Sequence, residues 1–66
     1  MSYTVKQARI GINATQKEIA DKMAIHVTTY QKLEKNSGNM SITQAELFAS
    51  IVGLPLSDIF FGSNSK

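Results

Sequence analysis

Residues 15–36 read TQKEIADKMAIHVTTYQKLEKN, and two features of this stretch decide the fold. It opens with a capping box, in which the Thr15 hydroxyl and the Glu18 carboxylate each satisfy an orphaned backbone N–H at a helix start. Apolar residues then recur at one-turn spacing as far as Met23 and resume in a new phase from Ile25. This change of phase predicts a tight turn between two short helices.

The second helix of this pair is predicted over Val27–Lys35, with His26 as its N-cap and Asn36 just beyond its end in the left-handed region. Ala20 is small enough to lie where the two helices cross, and Ile25 is apolar enough to plug the turn. Two short helices joined in this way form a helix-turn-helix, whose second helix can lie in the ~12 Å wide major groove of DNA.

One side of the second helix is available for recognition. Tyr30 and Leu33 must face the core, so helical spacing leaves the opposite face exposed. The side chains predicted on that face are Val27, Thr28, Gln31 and Lys32.

The rest of the chain is also predicted to be helical. We expect a first helix over residues 4–10, a fourth from residues 41–43 to Gly53 with a capping box at residues 43–46, and a short fifth over residues 56–60. Strand signals are nearly absent, because β-branched residues are scattered among strong helix formers. The predicted fold class is therefore all-α.

The length of 66 residues limits the architecture to one domain, predicted over residues 1–61, followed by a disordered tail at residues 62–66. Domains below about 70 to 80 residues usually need disulfides, a metal, a partner subunit or very regular helix packing. The chain has no cysteine and one histidine, so we expect no metal and no cofactor. Regular helix packing, helped by self-association, is therefore the predicted source of stability.

Several function classes are excluded by the residue inventory. The five carboxylates and His26 show no nucleophile–base pairing and no metal-ligand spacing, and no glycine-rich phosphate loop is present. An enzyme with a small-molecule substrate is therefore not expected, and His26 is interpreted as a cap rather than a catalyst. No apolar run approaches the ~18 residues of a membrane span, and the N-terminus has no signal segment, so we expect a cytoplasmic protein without a membrane partner.

Positive charge is concentrated in the middle of the chain. The net charge is only +2, but residues 36–65 contain no Lys or Arg. Four of the seven Lys and Arg residues lie between residues 17 and 35, at Lys17, Lys22, Lys32 and Lys35. This distribution suits a domain with one face toward phosphates and another toward protein.

The segment from Thr15–Ala20 through Leu33–Asn36 resembles the phage-repressor (Cro-type, XRE) helix-turn-helix family. The resemblance covers nearly the whole chain, from Val5 and Arg9 to residues 53–60. It implies a compact, five-helix, lambda-repressor-like domain that binds double-stranded DNA.

The resemblance also implies roles for individual residues. Gln16 would contact a backbone phosphate from the start of the helix that precedes the turn. Base edges would be reached by Val27, Thr28 and Lys32. Phosphate would be contacted by Thr29, Lys35 and Asn36. With Gln31 from the exposed face, these are the candidate DNA-binding residues. Plainer interpretations stay open, since Lys32 can be a solvated lysine, Val27 can pack against the turn, and Gln16 can merely fill the first turn.

Two charged residues receive a structural interpretation instead. The resemblance places Arg9 beside Glu34, where they would link the first helix to the end of the third as an ion pair rather than contact DNA.

The C-terminal third carries more apolar surface than one small core can absorb, at Leu47, Leu54, Leu56, Phe60 and Phe61. Part of it is predicted to form a dimer contact. The main hypothesis is thus a sequence-specific transcriptional regulator, repressor-like or Cro-like, that binds an inverted repeat as a homodimer. The alternative is a protein-interaction module, such as an antitoxin or regulatory accessory, because the net charge is modest and the loop after the third helix lacks a basic residue.

Overall fold

The computed structural model describes residues 2–62. Four α-helices form most of it: α1 (Val5–Gly11), α2 (Gln16–Met23), α3 (Val27–Lys35) and α4 (Ile42–Val52). Two short strands, β1 (Tyr3–Thr4) and β2 (Ile59–Phe60), flank the helices, and single 3-10 turns lie at Ser37–Asn39 and Leu56–Asp58. The predicted all-α, helix-turn-helix class is confirmed, with four helices in place of five.

Side-chain caps determine where the helices begin. The predicted capping box of Thr15 and Glu18 is confirmed, and His26 caps α3, since its Nδ1 accepts a hydrogen bond from the Thr28 N–H at 3.5 Å. The capping box predicted at residues 43–46 is wrong. Ser41 is the N-cap of α4, because its backbone is extended and Gln44 lies three residues further on, where the two side chains satisfy each other's backbone N–H.

Two of the helices end at a residue in the left-handed region, and α3 does not. Gly53 ends α4 in the left-handed region, with φ of 75°, as glycine does most easily. Ala24 ends α2 in the same region, with φ of 59°. The left-handed conformation predicted for Asn36 is wrong, because its φ is −140°. The Asn36 carbonyl instead accepts the Asn39 N–H at 3.0 Å, which leads the chain directly into the 3-10 turn.

The core lies between α2, α3 and α4 and is closed by α1. Its largest fully buried side chains are Val5, Ile19, Tyr30 and Phe48. The Tyr30 and Phe48 rings stack with their centroids 6.4 Å apart, which joins α3 to α4. Leu33 is also buried, so the predicted core-facing side of α3 is confirmed.

The fifth helix predicted over residues 56–60 is wrong. Only Leu56–Asp58 form a single 3-10 turn, after which Ile59 and Phe60 extend as β2 and pair in parallel with β1, Tyr3 opposite Ile59. The extended chain carries the side chain of Ile59 into the core, where it is 6% exposed, and the pairing satisfies backbone groups at both ends of the fold. The segments Tyr3–Thr4 and Ile59–Phe60 therefore meet beside the start of α1.

Gly62, the first residue of the predicted disordered tail, is hydrogen-bonded to the rest of the domain. The Gly62 N–H donates to the hydroxyl of the buried Ser37 at 3.0 Å, and that hydroxyl donates to the Gly62 carbonyl at 3.2 Å. The remaining residues of the predicted tail, 63–66, lie outside the described residues.

Candidate nucleic-acid interface

A tight turn joins α2 to α3. Ala24 adopts the left-handed conformation, and the Ile25 N–H then reaches back to the Ala20 carbonyl at 3.0 Å. Ala20 is completely buried, which lets the two helices approach closely, while Ile25 packs half-buried against the core. The residues predicted to make the crossing and to plug the turn occupy those positions, and the helix-turn-helix is confirmed.

The outer side of α3 presents a polar and basic face. Its members are three or four residues apart along the helix, and each is exposed: Thr28, Gln31, Lys32 and Lys35. We call these four residues the α3 face. These side chains are not needed to fill the core, and all four are accessible to a ligand.

The other candidates lie around this face. Thr29 is exposed on α3, and Asn36 is exposed at its C-cap. Val27 is half-buried at the start of α3 and packs against the core, and Gln16 is half-buried in the first turn of α2. A groove of about 740 Å³ brings Gln16 and the whole α3 face together with the start of α1, but Val27, Thr29 and Asn36 do not line it.

The predicted ion pair between Arg9 and Glu34 is confirmed. Arg9 donates from Nε to Glu34 Oε2 at 2.7 Å and from Nη2 to Oε1 at 3.4 Å, and the two side chains are only 13% and 6% exposed. Arg9 Nη1 also donates to the Ala14 carbonyl at 2.9 Å. One guanidinium thus ties the end of α1 to α3 and to the loop before α2.

The same carboxylate collects two further donors. The Tyr30 hydroxyl donates to Glu34 Oε2 at 2.8 Å, and Gln16 Nε2 donates to Oε1 at 2.8 Å. Gln31 Nε2 in turn donates to Gln16 Oε1 at 3.2 Å. The amide of Gln16 is therefore held in one orientation between α2 and α3, and the start of α2 is fixed relative to the α3 face.

These contacts determine the charge state of the cluster. Burial raises the pKa of Glu34, but the hydrogen bonds from Arg9, Tyr30 and Gln16 outweigh it, and the net pKa is below its ordinary value. The hydrogen bond to Glu34 raises the pKa of Arg9. The pKa of Tyr30 is also raised, mainly because the side chain is buried and secondly because its hydroxyl donates to the Glu34 carboxylate. Glu34 is thus ionised at neutral pH and its charge is compensated by Arg9.

Sequence reasoning missed two parts of this arrangement. The bond between Tyr30 and Glu34 had a readable signal, because residues four apart on a helix are neighbours. Lys6 lines the groove beside the α3 face, although it is distant in sequence. The predicted pair of Arg9 and Glu34 already placed α1 beside α3, but no pattern in the sequence showed that Lys6 lines this groove.

The fold and this face define the chain as a helix-turn-helix domain of the DNA-binding kind. A model of the HTH_3 helix-turn-helix family matches residues 5–59, which is most of the chain. The protein therefore belongs to the Cro/XRE-type helix-turn-helix family, a family of DNA-binding regulatory domains rather than of enzymes. No curated protein matches the chain significantly. None of the helices between residues 2 and 62 is long and apolar enough to span a membrane.

Proposed function

We propose that this domain is a sequence-specific transcriptional regulator of the repressor or Cro-like kind, which acts in the cytoplasm and binds an inverted repeat as a homodimer. The observation that carries the proposal is the α3 face: four exposed polar or basic side chains on one side of the second helix of a helix-turn-helix, with no acidic member. A helix with such a face suits the major groove, whose base edges offer hydrogen-bond acceptors and donors.

Base reading is assigned to Val27, Thr28, Gln31 and Lys32. The ammonium group of Lys32 suits the O6 and N7 acceptors of guanine, and an exposed part of Val27 suits a thymine methyl group. Gln16, Thr29, Lys35 and Asn36 are assigned to phosphates. The Gln16 amide donates one N–H to Glu34 and keeps a second for a phosphate oxygen.

The test of base reading is selection from a random DNA pool by the wild type and by two variants, Lys32→Ala and Val27→Ala. We expect a palindromic site for the wild type and a changed base preference at one or two positions for each variant. Loss on the wild-type site should be about 1 to 3 kcal/mol, with little change on random DNA.

Lys22→Ala is the matched control, because Lys22 is exposed on α2 and does not line the groove. Unchanged affinity and preference in both α3 variants would show that α3 is not the reading helix. If, in addition, wild-type binding to random duplex DNA does not depend on salt, the domain is a protein-interaction module, because phosphate contacts release counterions.

The proposed dimer rests on apolar side chains that the fold leaves uncovered. Of the C-terminal set, Leu47, Leu56 and Phe60 are 40%, 42% and 51% exposed. Leu54 and Phe61 instead pack half-buried against the core, so they are poor probes of an interface. Leu56 is the sharper probe of the exposed three, because Phe60 also lines the groove beside α3.

We expect Leu56→Asn to weaken dimerisation and binding to a two-half-site operator, because the substitution places a polar amide in an apolar contact without changing the net charge. Sedimentation velocity, free and on DNA, measures both. Ile42→Asn is the control, since Ile42 is 76% exposed but lies at the start of α4, outside the C-terminal set. A wild type that remains monomeric at high concentration and on DNA would contradict the dimer.

A further inference from the structure

The groove beside the α3 face has a second wall that belongs to another part of the chain. Thr4, Val5 and Lys6, at the start of α1, line it together with Lys32 and Lys35. The groove is open, with a volume of about 740 Å³. It is continuous with the α3 face, whose four residues all line it.

Three lysines give this groove its charge: Lys6, Lys32 and Lys35. Within residues 2–62, none of the three forms an ion pair, whereas the exposed Lys17 is paired with Asp21. Glu34 is the one acidic residue in the lining, and Arg9 compensates its charge. The groove therefore has an excess of positive charge available for a ligand.

Lys6 is held at the rim by the structure around it. The preceding residues, Tyr3 and Thr4, pair with β2, the side chain of Thr4 caps α1, and Val5 is buried with 1% exposure. The backbone that leads into Lys6 is thus fixed.

The positive charge of Lys6 is unfavourable for the stability of α1. A cation in the first turn of a helix lies against the positive end of the helix dipole, and the first turn of α1, described in full, contains no acidic residue to offset it.

We propose that the groove receives a phosphate group of the DNA backbone, held between Lys6 of α1 and Lys35 of α3, next to the major groove that α3 reads. This inference rests on the proposed function and extends the interface to α1. DNA is favoured over an acidic protein segment because the same groove is continuous with Thr28 and Lys32, so one duplex can meet both surfaces at once. A phosphate contact of this kind positions the protein without reading a base.

The test compares Lys6→Ala with Lys22→Ala, two variants that lose the same charge, on a selected operator and on random duplex DNA between 0.1 and 1 M salt (roughly the range over which counterion release changes affinity). For Lys6→Ala we expect the slope of log K against log salt to fall by about 0.9 for each bound protomer, or about 1.8 for a dimer on the operator, and Kd at the low-salt end to rise about tenfold per protomer on both DNAs. Base preference should not change. Lys22→Ala should keep the wild-type slope, and thermal unfolding should show both variants folded.

A second measurement locates the contact. Operators with a single neutral methylphosphonate are titrated with the wild type and with Lys6→Ala, and one position should weaken the wild type while leaving the variant unaffected. Equal salt slopes for Lys6→Ala and Lys22→Ala would overturn the inference, and so would the absence of a methylphosphonate position that weakens only the wild type. If the wild type still binds duplex DNA, the proposed function stands without the inference. Lys6-dependent binding of poly-glutamate by a domain whose duplex binding does not depend on Lys6 would assign the groove to an acidic protein segment. A wild type that does not bind duplex DNA at all would overturn both.

Discussion

We expect Glu34→Ala to lower the free energy of unfolding by about 3 kcal/mol, because the change leaves the partly buried Arg9 guanidinium without its partner and removes the acceptor of Tyr30 and Gln16. Urea denaturation followed by circular dichroism measures the loss. The residues of the α3 face are unaltered, so at temperatures where the variant is folded, base preference is expected to stay as in the wild type.

Glu34→Gln is the matched control, since it keeps the shape and one acceptor oxygen but removes the charge. Its loss should be smaller than that of Glu34→Ala. A Glu34→Ala variant that unfolds like the wild type but no longer binds DNA would place Glu34 in the recognition surface instead of the fold.

The same carboxylate predicts a dependence of stability on pH. The pKa of Glu34 in the folded protein is below its ordinary value of 4.5, so its ionised form stabilises the native state. This contribution is fully present above the unfolded pKa and is lost as the pH falls through the lowered native pKa. Between pH values of about 5 and 3, the wild type should therefore lose more stability than Glu34→Gln, whose other carboxylates are the same. Parallel curves for the two proteins would show that Glu34 is not stabilised as an anion.

Phe48→Ala is expected to lose about 4 kcal/mol, the largest loss from a single truncation in this core. Phe48 is fully buried, stacks on Tyr30 and meets the edge of Phe61 with ring centroids 6.5 Å apart. The substitution thus opens a cavity where α3, α4 and the C-terminal segment meet. Thermal and urea unfolding measure the effect.

Leu47→Ala is the control for this prediction, because the neighbouring Leu47 is 40% exposed and should lose less than about 1 kcal/mol. If Phe48→Ala is too unstable to measure, Phe48→Leu gives a smaller loss of the same origin. Equal effects at positions 47 and 48 would contradict the burial assigned to Phe48.

Local signals predicted the helix-turn-helix well. The capping box at Thr15, the phase change after Met23 and the cap at His26 all act within a few residues, so the bounds of α3 could be read directly. The pairing of Tyr3 with Ile59 joins two segments that are far apart in the sequence, and strands of two residues are too short to show alternation. For this reason the segment after Pro55 was wrongly predicted to be helical.

In the candidate site, too, local features could be predicted from the sequence and contacts between helices could not. Exposure of Thr28, Gln31 and Lys32 follows from helical spacing once Tyr30 is assigned to the core. The orientation of the Gln16 amide, by contrast, depends on contacts across α2 and α3 that no sequence period encodes. Base and phosphate contacts of these residues stay predictions.

The α3 face has a consequence for how such domains diverge. Within residues 2–62, the side chains of Thr28, Lys32 and Lys35 make no hydrogen bond or ion pair, whereas Tyr30, Leu33 and Glu34 on the same helix hold the fold together. Substitutions on the outer side can therefore accumulate at little cost in stability. A lineage built on this scaffold can change its target repeatedly while inheriting the same folded core.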